Sequence, residues 1–214
     1  YWGNGQTHTA AIDGGWDVKK IWGTVPVEAD GSAYFKVPAN TPLFVQPVSR
    51  EGMAQQQMRS WFTAMPGEVL SCVGCHENRR DVSTSGQRPL AQRRPPSEIK
   101  PWYGEPRGFS FVREVQPVLD RNCLSCHSGG KIDLRNAPAP PQNRAPTAWT
   151  QAYLTLHPYV RRPGNESDIR LLGPREFEAN TSPLVQMLKK GHMGVKLSEE
   201  DWDRLITWID LNVP

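Results

Sequence analysis

The chain of 214 residues has no hydrophobic run near the roughly 18 residues that a membrane-spanning helix needs. Its net charge is only +3, too weak to argue for a nucleic-acid partner. The apolar fraction, 37%, is thin for a globular chain, and so is the scope for a large side-chain core. Cysteine is scarce too: there are four, and all four fall in two short strings, leaving none for disulfides. What is abundant is proline, 20 residues, and tryptophan, eight. Proline at about twice its usual frequency means many loops. Flat indoles suit a chain that wraps a flat apolar group, and they serve equally well as ordinary core.

The two cysteine strings are Cys72-Val73-Gly74-Cys75-His76 and Cys123-Leu124-Ser125-Cys126-His127. Each is a Cys-x-x-Cys-His run, the attachment signature of c-type haem. Two thiols three positions apart on one helical turn can bond the two vinyl-derived carbons at the porphyrin edge. The adjacent His then binds iron from the proximal side. Four thiolates can also make a zinc site. That reading leaves both histidines without a purpose, and the pairs are 47 residues apart where zinc ribbons use about 15 to 20. A thioredoxin-like pair needs a βαβ context, which the sequence does not offer. The expectation is two covalent haems c, with Cys72, Cys75, Cys123 and Cys126 as attachment points and His76 and His127 as proximal ligands. Covalent haem is attached after export, so a periplasmic or otherwise extracytoplasmic location is expected. The chain begins at Tyr1 rather than Met, which reads as a mature form or a piece of a longer protein.

Distal ligands decide whether such haems carry electrons or open a site to substrate. Three histidines remain: His8, His157 and His192. His192 stands 65 residues beyond His127, between glycines and just ahead of an amphipathic segment, where a class I cytochrome c places its distal ligand. Met193 competes for that role. His8, near the terminus, is a candidate for either iron. His157 reads as structural.

The pattern along the chain is α+β. Ile21–Val27, Ala33–Pro38 and Leu43–Val48 read as strands separated by turns, a small antiparallel β-sandwich-like part. Residues 77–107 form a Pro- and Arg-rich connector. Its Arg79, Arg80, Arg88, Arg93 and Arg94 are candidates for pairing with propionates. From Ser110, a cap candidate, the positions Phe111, Val112, Val115, Val118 and Leu119 share a helical face that leads into Cys123, with Pro117 expected to kink or restart the helix. Ser198 caps a closing helix carrying Trp202, Leu205, Ile206 and Ile209 at helical spacing. Residues 136–146 read as loop. The expected domains are 1–104, β-rich with the first motif and the connector, and 105–214, mainly α and class I cytochrome c-like, with the second.

Four strings occur together: Gly23-Thr24-Val25-Pro26-Val27-Glu28-Ala29-Asp30-Gly31-Ser32-Ala33, Ser71–Glu77, Phe109–Asp120 and Tyr159-Val160-Arg161-Arg162-Pro163-Gly164. In that combination the chain resembles the C-terminal half of proteins similar to the hydrazine synthase alpha subunit. The resemblance implies an exported, multidomain dihaem protein in which a β-propeller precedes the haem-bearing region. It also implies that the first haem is the catalytic one, with a Tyr four residues beyond its motif His as an axial ligand. Here that position is Arg80, and the next Tyr is Tyr103, so the catalytic ligand does not carry over. The function expected is electron transfer with redox partner proteins or further domains of a longer chain. The alternative is a haem enzyme with one open or labile site, peroxidase-like or acting on nitrogen compounds.

Overall fold

The computed structural model describes residues 18–58, 60–74, 88–140, 149–162 and 173–211. His8, Cys75, His76, Arg79 and Arg80 lie outside the described residues. The chain is α+β and falls into two compact units, Lys20–Gln46 with Met58–Gly108, and Tyr1–Lys19 with Pro47–Gln57 and Phe109–Pro214. The sequence suggests a boundary at 104/105. The units change over at 108/109, and residues 47–57 go with the helical unit.

The first of these units does not carry its expected strands as a sandwich. Its described residues run extended and meet at isolated bridges, Lys20 with Gly108, Thr24 with Lys100, Phe35 with Ser97, and Leu43 with Phe62. Proline gives the reason. Pro26 and Pro47 fall inside candidate strands and Pro38 and Pro42 bound them, each removing an N–H donor a ladder needs. At the Thr24–Lys100 bridge both backbone bonds are 2.9 Å. They require Gly23, since a Cβ there would sit 2.1 Å from the Lys100 carbonyl oxygen and φ is +140°. The connector is tied down rather than free at Arg94, whose Nε donates to Glu28 at 2.7 Å and whose Nη1 donates to Ser97.

The helical unit holds the core. The helix expected from Ser110 breaks in two, α1 (Phe111–Glu114) and α2 (Gln116–Asn122), with Pro117 in the first turn of α2. A proline fits there because the first turn leaves its N–H groups unpaired anyway. Ser110 does not cap with its side chain. Phe111, Val115, Val118 and Leu119 are buried, whereas Val112 is exposed. A two-stranded hairpin follows, β1 (Ser128–Gly129) against β2 (Ile132–Asp133), then α3 (Gln151–Leu156), α4 (Pro183–Lys190) and α5 (Glu199–Asp210). Ser198 does cap α5, its hydroxyl accepting from Asp201 N at 3.1 Å.

α1 and α5 pack through Phe111 and Trp208, ring centroids 5.0 Å apart, with Tyr153 of α3 edge-on to both. Trp208, Ile206, Ile209 and Val185 are completely buried. An ion pair, Glu114 with Arg204, is sealed into this contact, and Arg204 also holds Glu200 at 2.6 Å. Among the described residues no helix is long and apolar enough to cross a membrane.

Candidate functional site

The second cysteine string begins as α2 ends. Cys123 is the C-cap, its N–H bonded to the Leu119 carbonyl. The chain then makes one more helical turn: Cys126 N and His127 N both donate to the Cys123 carbonyl, at 3.2 and 3.0 Å. That turn keeps Cys126 close enough to Cys123 for its charge to bear on the Cys123 thiol. The His127 carbonyl accepts from Leu134 N at 2.9 Å, so the hairpin folds back over the motif. Cys126 is exposed and Cys123 partly covered. Burial, together with the nearby charge of Asp201, pushes the Cys123 thiol above its usual range, so it stays protonated and is a poor nucleophile.

Opposite stands His192. α4 ends at Lys190, Gly191 takes φ +93°, and Met193 and Gly194 take +48° and +77°. The succession of left-handed residues forms a tight loop, closed by Val195 N donating to the His192 carbonyl at 2.9 Å. The loop sets the His192 ring across from that of His127. Their centroids are 5.9 Å apart and their planes differ by 14°. A metal bound to two imidazole nitrogens at about 2.0–2.1 Å each leaves ring centroids roughly 6 Å apart. The two rings are stacked at a separation close to that of two imidazoles sharing one metal. Met193 is 88% exposed. Among the described residues no group of three or more His, Cys, Asp and Glu side chains is gathered for a metal.

Asp201 steadies the approach to Cys123. Its carboxylate accepts from Arg121 and, at 3.1 Å, from Asn122, the two residues ahead of the motif. Burial works against its charge, but those bonds prevail and hold it below the usual carboxylate range.

The other sequence candidates are placed differently. Cys72 and Val73 are exposed, and Gly74 has φ +87°; the remainder of the first motif lies outside the described residues. His157 is bonded to Arg162, Nη2 to Nε2 at 3.1 Å, and tilts against Tyr153. This is a structural role. Arg88 donates to the Gln92 carbonyl, and with Arg94 also engaged, two of the five arginine candidates are committed elsewhere.

One feature carries no signal in the sequence. Glu178 is buried with φ 77° and ψ −159°, a region almost reserved for glycine. Asp210 is buried beside it, accepting from Ala54 N and Ala179 N at 2.8 Å each. Burial, reinforced by the Asp210 charge and opposed by Lys19, pushes Glu178 up to about 8. Burial also raises Asp210 to about 6 against its two N–H donors. Neither acid is near the start of a motif or a charge run, so only the fold brings them together.

No curated protein and no solved structure matches the chain. Residues 1–77 match the family model for the hydrazine synthase alpha subunit middle domain, a stretch that ends one residue past His76, and over it the chain resembles that subunit.

Proposed function

We propose that this chain is an exported dihaem c-type cytochrome, or cytochrome domain, that passes electrons between partners. The observation that carries the reading is the pair of near-parallel rings, His127 and His192, 5.9 Å apart beside a Cys-x-x-Cys-His turn. The residues fit a covalent haem there: Cys123 and Cys126 for attachment, His127 proximal and His192 distal. Bound haem supplies reversible one-electron chemistry at iron. The chain's part is to hold it. α2 and Asp201 fix the attachment turn, the glycine-flanked loop presents His192, and His127 and His192 would hold the haem iron between them. The packing of α1 and α2 on α5 supports a cytochrome c-like helical unit. Cys72, Cys75 and His76 would hold the first haem, with His8 as its distal candidate.

A second reading is favoured by the family match, which covers the first motif. The resemblance to the hydrazine synthase alpha subunit implies a catalytic first haem, so an open first site would make the chain an enzyme. Arg80 at the place of the axial Tyr weighs against the same mechanism.

Denatured protein should weigh two haems more than the polypeptide, and His192→Ala should convert one low-spin haem to high-spin. A bare polypeptide mass, or zinc without iron, refutes the proposal. One high-spin haem in the unmutated protein that takes cyanide readily moves the case to the enzyme.

A further inference from the structure

The segment entering the first motif has the composition of a core on the outside of the molecule. Residues 65–74 are exposed throughout. Within nine of them stand Met65 (61% exposed), Val69 (75%), Leu70 (44%) and Val73 (42%). Isolated exposed apolar residues are ordinary, but four in so short a stretch mark a surface that something covers. The segment is anchored where it starts. Ala64 is buried, and its carbonyl accepts from Asn40 N at 2.8 Å. The turn after it is closed twice between Met65 and Glu68, N to carbonyl at 3.1 Å and N to carboxylate at 2.7 Å. Glu68 is the single charge between 65 and 74, so little here suits a polar partner.

What covers the segment is limited by Cys72. Three residues of chain span at most about 10 Å, so a group bonded to that sulfur must lie beside Val69, Leu70 and Val73. A porphyrin is flat and largely apolar, as these side chains demand.

We infer that Met65, Val69, Leu70 and Val73 form the apolar bed of the haem attached at Cys72. The inference rests on the dihaem reading and adds to it where the first ring lies. The bed shields one face or edge of that ring from water, and the segment in turn loses its exposed apolar surface.

Carbene footprinting of the full chain tests this, with intact mass as an independent check on attachment. The unmutated protein should show residues 65–73 labelled several-fold less than in Cys72→Ser/Cys75→Ser, a variant whose mass should show one haem retained. Equal strong labelling in both overturns the bed while leaving two haems by mass. Equal protection in both overturns it also, and assigns the cover to a second copy or another protein. Should the double variant fail to fold, Val69→Ser/Leu70→Ser keeps both thiols. It should retain two haems and lower the reduction potential of the N-terminal one, as greater solvent exposure favours the oxidised, more charged state. Unchanged potentials in that variant refute the bed. A chain lacking haem altogether sinks the dihaem reading first, and the inference falls with it.

Discussion

Replacing Glu178 with Gln should make the protein more stable, and increasingly so as pH rises. In the folded chain the carboxyl is buried beside Asp210 and titrates at about 8 rather than 4.5. Below pH 4.5 it is protonated in both folded and unfolded chains and contributes no pH dependence. Between 4.5 and about 8 the unfolded chain releases the proton and the native chain keeps it. The native state then binds more protons, so unfolding becomes easier as pH rises. The slope is about 1.4 kcal/mol per pH unit for one proton. Across the whole window the loss is about 5 kcal/mol at the most, levelling off above pH 8. Asp210 adds a loss of the same sign between 3.8 and about 6. Glu178→Gln keeps the shape of the neutral carboxyl and removes its proton, so the Asp210 contribution stays and the Glu178 contribution goes. Denaturant titrations of both proteins at half-unit steps from pH 4 to 9 read the difference. The curves should coincide near pH 4 and diverge steadily to pH 8. Parallel curves, or a variant less stable at every pH, would refute a protonated Glu178.

Two other expectations concern packing and backbone. Trp208→Ala empties the centre of the contact among α1, α3 and α5 and should cost about 3–5 kcal/mol in denaturant unfolding. Met187→Ala, on the exposed side of α4, should stay within about 0.5 kcal/mol. Gly23→Ala places a methyl against the Lys100 carbonyl and should cost roughly 1–3 kcal/mol, with amide exchange at Thr24 and Lys100 accelerating together. Unchanged exchange at both would show that the bridge does not depend on that glycine.

Sequence and structure meet most closely where local chemistry is decisive. Ser198 followed by Asp201 marks the start of α5, and the structure has that cap. The face from Phe111 to Leu119 leads into Cys123 as its periodicity indicates, except that Val112, at the margin of that face, is exposed. The spacing from His127 drew attention to His192, and the two rings do face each other. Distance along the chain is where sequence reading falls short. Trp208 follows Leu205 by three residues and so shares its face, but only the fold shows that it fills the centre, where Phe111 of α1 and Tyr153 of α3 both meet it. The strand candidates had the right residue types, but four prolines left only single bridges. Glu178 and Asp210 look like solvated acids in the sequence, since burial and proximity are properties of the fold alone.

The bond network at Asp201 also sets an order of events. This carboxylate reaches back 80 residues to Arg121 and 79 to Asn122, and contacts that close so long a loop form late. Any step that delivers the chain from its N-terminal end presents Cys123 and Cys126 before α5. Until α5 docks, the turn that carries the thiols lacks the carboxylate that holds Arg121 and Asn122. The C-terminal helix is the fastener put on last, and a thiol reagent should reach both cysteines faster in a chain cut short before it.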